Sequence, residues 1–446
     1  MKSMGITTTV TDTRLAAASV ALALLASGAR ASAQNNYQSY PIGGRATGMG
    51  GAYTAIADDS AGAYYNPAGP AFAVGDSLSV STNLYGLVGG RSVGAFGRGV
   101  DFSYSGVNII PSAASSLSHL GASSREHPSR WVFVFNVFAP QTFQLNERSV
   151  LNNGATTLFS SWDESTLLAG PSLSLRLSDR LAVGIAAFGA YHSLTTRSDI
   201  TDTFSGAPMG TASDFIQATS NHSQSDIGVV LSAGVRWEPV PGLQLGLSLR
   251  SPTIHIYGSG SAFNRVAVVF PSAGMVPSVT SHVDDVETRS VLPMRIGVGA
   301  AWVRRGRFAI AADLSVYLPV TYDAIVSTRD PSLNVTVEHD AVVNGALGIE
   351  YYLLPTLPVH AGVFTDLSPV PPPSLGGSTE DHVNLVGATL GVGKYSEHTS
   401  TQLGLVGSFG GVRSLGVDLS SGSYDTVLTQ GTQWRLYVVL SGSYNF

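Results

Sequence analysis

One pentapeptide in this sequence has residue types and spacing that suit covalent catalysis. Gly90-Arg91-Ser92-Val93-Gly94 matches the G-x-S-x-G pattern, in which a serine nucleophile occupies a sharp turn between a strand and a helix. That arrangement also needs a histidine and an acid within reach, whereas this match falls in a Gly/Ser-rich loop expected after the first strand. Such matches are common by chance in sequence of this composition. We therefore predict that the protein is not an enzyme and has no catalytic residues.

The histidines and cysteines argue against a metal centre. The ten histidines are scattered, and no pair has the i, i+4 spacing of a helical zinc site. The chain has no cysteine, which excludes disulfides and thiolate ligands. A calcium site formed by loop aspartates stays open as an alternative, but nothing fixes its position. We predict no metal and no cofactor.

Two arginines are candidates for binding a carboxylate on a substrate. Arg176 and Arg250 lie on the polar faces of alternating segments, and a guanidinium can hold a carboxylate through two parallel hydrogen bonds. The same side chains could instead pair with Asp58, Asp59 or Asp313 for purely structural reasons. Both interpretations require that these polar faces enclose an interior.

The start of the chain is typical of an exported protein. Arg14 precedes an apolar run at residues 15–25, and Ala31-Ser32-Ala33 is a small-residue cleavage site. Residues 1–33 are therefore predicted to be a cleaved signal peptide. The formal net charge of −6 argues against nucleic-acid binding. No later stretch has the length and apolarity of a membrane-spanning helix.

Residues 43–72 are too rich in glycine for a regular helix and too apolar for a free linker. Asp58 and Asp59 are N-cap residue types, which predicts one helical turn near residues 61–65. Pro67 ends that turn because it holds Asn66 in an extended conformation. Irregular backbone of this kind must be enclosed to satisfy its hydrogen bonds. We predict a compact plug over residues 34–74; the alternative, a nucleotide-binding loop, lacks the expected lysine and preceding strand.

The plug resembles the N-terminal hatch of the outer-membrane long-chain fatty-acid and aromatic-hydrocarbon transporters of the FadL/TodX type. The resemblance rests on a GxGGA, ADD and NPAG pattern, carried by Gly48, Gly50, Gly51, Ala52, Ala57, Asp58, Asp59, Asn66, Pro67, Ala68 and Gly69. Segments 169–186, 246–252, 292–302 and 360–371 are also similar to segments of these transporters. The resemblance implies that the pattern closes the lumen of a barrel.

The rest of the chain alternates as barrel strands do. In residues 243–250, four leucines on one face alternate with Gln244, a glycine, Ser248 and Arg250 on the other. Short connections also alternate with long ones, as periplasmic turns and extracellular loops do in outer-membrane barrels. We predict an all-β fold, a transmembrane antiparallel β-barrel of about 14 strands over residues 75–446 with the plug in its lumen. A secreted sandwich or solenoid is the alternative.

The C-terminal segment ends with aromatic residues on the expected lipid face. Trp434, Tyr444 and Phe446 share that face, and Trp302 is a further candidate for an aromatic girdle. A terminal aromatic resembles the signal read by the barrel assembly machinery, so Phe446 is predicted to contact that machinery. The protein is predicted to be a monomer in the lipid and lipopolysaccharide of the outer membrane of a Gram-negative bacterium.

Two apolar clusters within long connections are candidates for first contact with a substrate. The connection at residues 197–224 contains Phe204, Met209 and Phe215, and that at 260–285 contains Phe263, Val268, Val269 and Phe270. Apolar clusters expected at a surface mark binding sites. In the family that the plug resembles, these two loops form an external groove that captures the substrate. The alternative is that residues 266–270 only extend a strand.

The resemblance also implies a mechanism, the passive uptake of hydrophobic small molecules such as long-chain fatty acids or hydrocarbons. Release would be lateral, through a gap at a kink in the third strand, residues 130–140. Phe133, Phe135 and Asn136 belong to this exit strand, with Asn66-Pro67-Ala68 against it. The alternative function is a structural or secretion-associated barrel of the same architecture.

Overall fold

The computed structural model describes residues 36–95, 101–120, 129–151, 156–204, 214–269, 278–375, 380–418 and 425–446. The predicted signal peptide lies outside these residues and stays a prediction. The described chain contains eighteen strand segments in one antiparallel sheet. They are β1 Ser77–Val93, β2 Phe102–Leu120, β3 Trp131–Leu151, β4 Thr156–Ser178, β5 Leu181–Phe204, β6 Asp214–Val240, β7 Leu243–Arg250, β8 Ile254–Val269, β9 Ser278–Thr288, β10 Arg295–Arg304, β11 Phe308–Tyr317, β12 Val320–Val326, β13 Val335–His339, β14 Val342–Leu354, β15 Leu357–Asp366, β16 His382–Tyr395, β17 Thr399–Asp418 and β18 Asp425–Asn445.

These segments form a closed barrel. β7 and β8 pair with the same neighbour, β6, and are two parts of one interrupted strand. β9 with β10, β11 with β12 and β13 with β14 are interrupted in the same way. Counted so, the wall has fourteen strands, as predicted. Because β1 pairs with both β2 and β18, the sheet closes on itself.

The two faces of the wall differ as the alternation predicts. In β7, Leu247 and Leu249 are exposed on the outside by 42% and 39%, whereas Gln244 and Arg250 are buried inside. Trp302, Trp434, Tyr444 and Phe446 also lie exposed on the outer face. The backbone amide of Phe446 donates to the Asp76 carbonyl at 3.0 Å, which ties the C-terminus to the start of β1. An apolar outer face and a polar lumen result.

The predicted short connections are tight hairpins at one end of the barrel. Ser178 pairs with Leu181 and Val240 with Leu243 across two of them. The long connections expected at residues 197–224 and 260–285 are strand in most of their described residues, which corrects that prediction. β3 to β6 run for 21, 23, 24 and 27 residues. Spanning a bilayer takes about 9–11 residues, so these ladders extend far beyond it, with polar residues that resemble loop sequence.

The G-x-S-x-G pentapeptide is also placed differently from the prediction. Ser92 lies near the end of β1, paired with Phe102 of β2 and Gly431 of β18, and not in a loop. Only Gly94, with φ of 68°, begins a turn. A serine inside a paired strand lacks the sharp turn that the hydrolase pattern requires.

The plug lies inside the barrel and contains short helical pieces. These are α1, Gly44–Gly48, and two 3-10 helices, Ser60–Tyr64 and Gly69–Phe72; α1 was not expected in so glycine-rich a stretch. The Asp59 side chain accepts a hydrogen bond from the amide of Gly62 at 2.7 Å, so the predicted N-cap is confirmed. Tyr53, Tyr64 and Tyr65 are fully buried against the wall. Among the described residues, no helix is long and apolar enough to cross a membrane.

Candidate functional site

Lumenal arginines hold the plug through its backbone carbonyls. Arg176 donates from Nε and Nη2 to the Ala71 carbonyl at 3.0 and 2.6 Å. Arg250 donates from Nη2 to the Tyr64 carbonyl at 2.6 Å and lies over the Tyr64 ring. Both guanidiniums thus donate to plug carbonyls rather than pair with Asp58, Asp59 or Asp313, and their binding of a substrate carboxylate stays a prediction. Irregular backbone leaves carbonyls without ladder partners, and these cations satisfy them.

A buried ion network, which the sequence analysis missed, fixes one side of the plug to the wall. Arg45 of α1 forms a bidentate pair with Glu350 of β14, with both nitrogen–oxygen distances 2.8 Å. Its Nη1 atom donates to Asp58 at 2.6 Å, and Glu350 also contacts Nε2 of His360 at 2.9 Å. Alternation in the sequence could have indicated that Glu350 faces the lumen. It could not have indicated Arg45 as the partner, because the two residues are 305 positions apart.

Asp313 of β11 is a second anchor for the plug. Its Oδ2 atom accepts hydrogen bonds from the backbone amides of Tyr53 at 2.9 Å and Thr54 at 2.7 Å. Asp313 had been considered as a structural partner for an arginine. It serves instead as an acceptor for plug backbone, and the described wall thus supplies both donors and acceptors to the plug.

The glycines of the plug motif allow close contact with the wall. A Cβ at Gly48 would lie 2.7 Å from Cβ of His360, and one at Gly50 would lie 3.1 Å from the Val363 amide nitrogen. Gly50 and Gly51 have φ of 66° and 84°, a region that favours glycine. Gly184 of β5 allows the same close contact from the side of the wall, since a Cβ there would lie 2.1 Å from the Pro67 carbonyl oxygen.

Asn66, Pro67 and Ala68 contact β4, β5 and β6. Asn66 Nδ2 donates to the carbonyls of Thr54 at 2.9 Å and of Val235, in β6, at 3.0 Å. Its Oδ1 atom accepts from the Ala68 amide at 3.0 Å, and Ser174 of β4 donates to the Pro67 carbonyl at 2.7 Å. The hydrogen bonds of the motif therefore go to β4 and β6, whereas the two 3-10 helices that flank it contact the third strand, and the position of the motif at an exit stays a prediction.

We expect substitutions of Asn66 to loosen the plug without unfolding the barrel. Asn66→Ala removes three hydrogen bonds, each worth about 1 kcal/mol. Asn66→Asp should be worse, because it directs a carboxylate at the two carbonyl oxygens that accept from the native amide. Arg45 is the one trypsin site in residues 36–74, so the rate of cleavage there measures how often the plug is displaced.

Cleavage should rise from the native protein to Asn66→Ala and again to Asn66→Asp. Heat-modifiable migration on gels should persist in both, since the strand ladders are unchanged. Equal resistance of all three proteins to trypsin would show that the Asn66 bonds do not hold the plug.

The wall is interrupted between β2 and β3. Their described register runs from Leu120↔Trp131 to Ala113↔Phe138 and ends there. Beyond that point β2 stays paired with β1 as far as Phe102↔Ser92. Likewise, β3 stays paired with β4 as far as Leu151↔Thr156. The β3–β4 register also shifts between Phe138 and Gln141, so β3 bends at Ala139-Pro140. The plug reaches this bend, because the Ser39 amide donates to the Pro140 carbonyl at 3.0 Å.

A cavity of about 300 Å³ occupies the interrupted part of the wall. It is lined by residues of β1, β2, β3 and β18, among them Val88, Gly106, Val107 and Trp434. Val107 and Trp434 are exposed on the outer face by 56% and 41%, whereas Val88 is fully buried inside. The cavity therefore lies where the outer face and the lumen approach each other.

The predicted exit residues lie on the paired side of the interruption. Phe133 and Phe135 point outward and are exposed by 36% and 48%. Asn136 is fully buried, and its Nδ2 atom contacts Ser172 Oγ at 3.3 Å. All three remain in the ladder with β2 and β4, so the break begins after Phe138 and not at Asn136.

A larger cavity, about 560 Å³, lies in the lumen on the side of the plug away from the short hairpins. We call it the chamber. Its apolar lining includes Trp162, Leu194, Leu292 and Ile325, and Tyr37 of the plug also reaches it. Its ionisable lining was not anticipated: Glu164, His192, His222, Glu338, His339 and Glu380. The sequence analysis described the histidines only as scattered and brought none of these six residues together.

An apolar cluster connects the chamber with the interrupted wall. Trp162, which lines the chamber, belongs with Phe143 of β3 and Val88 of β1 to one buried cluster. Tyr104 and Leu145, from the two separated strands, pack against it. Val88 in turn lines the wall cavity. Packed apolar side chains thus extend from the chamber to the wall cavity.

The two predicted capture clusters are brought together by strand pairing. Phe215 lies opposite Val269 in the β6–β8 ladder, and Phe204 ends β5. Val268 and Val269 belong to β8, so the alternative of a strand extension holds for them. Phe263 of β8 is half-buried, with its ring centroid 5.8 Å from that of His282. Met209 and Phe270 lie outside the described residues.

Comparison with known proteins gives a fold but no sequence family. No family model and no curated protein matches the chain. Among solved structures, a Pseudomonas aeruginosa FadL homologue matches with a TM-score of 0.63 at 13% identity, over 92% of this chain and 100% of the other. The Pseudomonas putida toluene transporter TodX matches with 0.63 at 15% identity, over 91% and 99%.

A third solved structure matches over a similar range. The Ralstonia pickettii toluene transporter TbuX has a TM-score of 0.57 at 14% identity, over 92% of this chain and 99% of the other. The three proteins share the fold of this chain, so the sequence-based resemblance is confirmed at the level of the fold. In the described part of the chain, no group of three or more ionisable ligands is placed to hold a metal ion.

Proposed function

We propose that this protein is an outer-membrane channel for passive uptake of hydrophobic small molecules, with lateral release between β2 and β3. The observation that carries the proposal is the interrupted β2–β3 ladder with a cavity in the gap. The comparisons support it, since a FadL homologue and two toluene transporters share the fold. An apolar solute that left a polar lumen for water would lose the free energy of its burial. A gap in the wall avoids that loss.

The outer face supports a membrane location. Aliphatic and aromatic side chains cover it, with Trp131, Trp237 and Trp302 exposed close to the short-turn end. Aromatic residues at that level are typical of the boundary between lipid and water. The predicted signal peptide would direct export, and the exposed Phe446 remains the predicted contact for the barrel assembly machinery.

The proposed path has three steps. A substrate first meets the extended ladders of β5, β6 and β8, where Phe215 and Val269 are paired. It then enters the chamber above the plug. Finally it crosses the apolar cluster of Phe143, Trp162 and Val88 to the gap. The anchored plug blocks the direct route to the periplasm, which leaves the lateral gap as the exit.

Uptake by cells tests this proposal. Gram-negative cells that lack other hydrophobic channels and express this protein should accumulate labelled C10 hydrocarbon or alcohol faster than cells with an empty vector. Apolar molecules identified by mass spectrometry in detergent-purified protein would support the same conclusion. Uptake no faster than with the empty vector, together with a stably co-purifying protein, would favour the alternative of a secretion-associated barrel.

A further inference from the structure

We propose that the chamber selects apolar molecules whose polar head donates hydrogen bonds, an amine or a hydroxyl, and rejects carboxylates. The inference rests on the proposed function and names the substrate class of that channel. We infer this selectivity from the charged side chains that face the chamber and from those that point to other parts of the barrel interior.

The chamber has acidic groups without permanent cations. Glu164, Glu338 and Glu380 line it, and its described lining contains no lysine or arginine. The arginines of the described wall that point into the barrel lie around the plug instead. Arg176, Arg236 and Arg250 donate to plug carbonyls, Arg295 donates to Ser315, and Arg435 pairs with Asp366 at 3.2 Å. A fatty-acid carboxylate entering the chamber would therefore meet like charge and no guanidinium, which disfavours its binding.

The histidines do not reverse this balance. His192 contacts Glu164 Oε1 through Nε2 at 3.3 Å and Asp226 Oδ2 through Nδ1 at 3.2 Å. One imidazolium offsets at most one of these two buried carboxylates, so the group of three keeps a net negative charge. Thr288 and Gln224 also donate to Asp226, at 2.7 and 3.2 Å.

Glu164 retains capacity to accept a hydrogen bond from a ligand. An ionised carboxylate has about four acceptor positions. The Glu164 carboxylate has contacts with Gln141, Trp162 and His192, but each of these contacts is as long as 3.3 Å. Charge-assisted hydrogen bonds are usually about 2.7–2.9 Å. A donating head group can therefore approach Glu164 while its tail lies on Trp162, Leu194 and Leu292.

Trp162 provides a built-in reporter for the test. It is 7% exposed, whereas Trp131, Trp237, Trp302 and Trp434, the other tryptophans, are 41–48% exposed on the outer face. The full chain in nanodiscs of neutral lipid is titrated with decylamine, decanol and decanoate at neutral pH, with empty nanodiscs to correct for partitioning. Trp162→Phe identifies the part of the fluorescence change that arises in the chamber.

We expect decylamine and decanol to give a saturable Trp162 signal and decanoate to need at least about tenfold higher concentration, a difference of 1.4 kcal/mol. Glu164→Gln should reduce the preference for decylamine over decanoate by about tenfold. Glu397→Gln is the control, because it removes the same charge from an exposed residue in the turn before β17. It should leave the preference unchanged. Heat-modifiable migration verifies that each variant is folded.

Decanoate binding as tightly as decylamine would overturn the inference while leaving hydrophobic uptake intact. A preference for decylamine that survives Glu164→Gln would also overturn it, because the selecting charge would lie elsewhere. Loss of uptake in cells would instead contradict the proposed function, so the two failures are distinguishable.

Discussion

Fastening β2 to β3 by a disulfide is expected to reduce uptake to the level of cells without the protein. Gly106→Cys with Leu145→Cys joins β2 and β3 where they approach each other without a ladder, since a Cβ at Gly106 would lie 3.9 Å from the Leu145 Cα atom. The chain has no native cysteine, so the new bond is the sole disulfide. If substrate leaves laterally, closing the gap removes its exit. Uptake is measured in oxidised cells and again after reduction, which should restore it.

A matched disulfide elsewhere in the wall serves as the control. Ser400 and Ser443 lie opposite each other in the β17–β18 ladder, with their hydroxyl oxygens 2.7 Å apart. That ladder is continuous from Thr399 to Asp418, so cross-linking Ser400→Cys to Ser443→Cys should leave uptake unchanged. Full uptake with the oxidised Gly106–Leu145 bridge would exclude the gap as the exit.

Arg45→Met is expected to release the plug and convert the barrel into an open pore. The change leaves Glu350, whose side chain is 2% exposed, without its bidentate partner. Removing one member of a buried ion pair costs about 3–5 kcal/mol. The barrel ladders do not depend on this pair, so the loss should fall on the plug. Single-channel conductance in planar bilayers should show long open events that the native protein lacks.

Neutralising both partners tests whether the buried charge is the cause. Arg45→Met combined with Glu350→Gln removes the unpaired carboxylate, and replacing a buried pair by uncharged groups is often nearly neutral. The double variant should therefore conduct less than Arg45→Met alone. Equal conductance of the two variants would assign the effect to the other contacts of Arg45, its ion pair with Asp58 at 2.6 Å and its packing over the Tyr53 ring, 5.7 Å from the ring centroid.

Local features of the fold were predictable because they depend on neighbouring residues. The faces of β7 followed from alternation, as Leu247 outside and Gln244 inside show. The Asp59 N-cap followed from residue type alone, since a cap contacts an amide only three positions away. The length of the ladders was not predictable, because β5 and β6 carry polar residues on both faces beyond the lipid. They looked like a loop, yet Ile200 pairs with Ala218.

The sequence by itself determined the wall of this protein: fourteen alternating strands, a glycine-rich plug and an aromatic C-terminus. Each of these features follows from short-range sequence patterns. In the strands the pattern has a period of two, because one face meets lipid and the other faces a polar lumen. Only the tertiary structure decided which polar groups meet. Arg435 and Asp366 are 69 residues apart, and Asn66 and Val235 are 169 apart. Closure of the barrel brings such groups together, so it sets the acidic chamber, the anchoring of the plug and the gap beside β3.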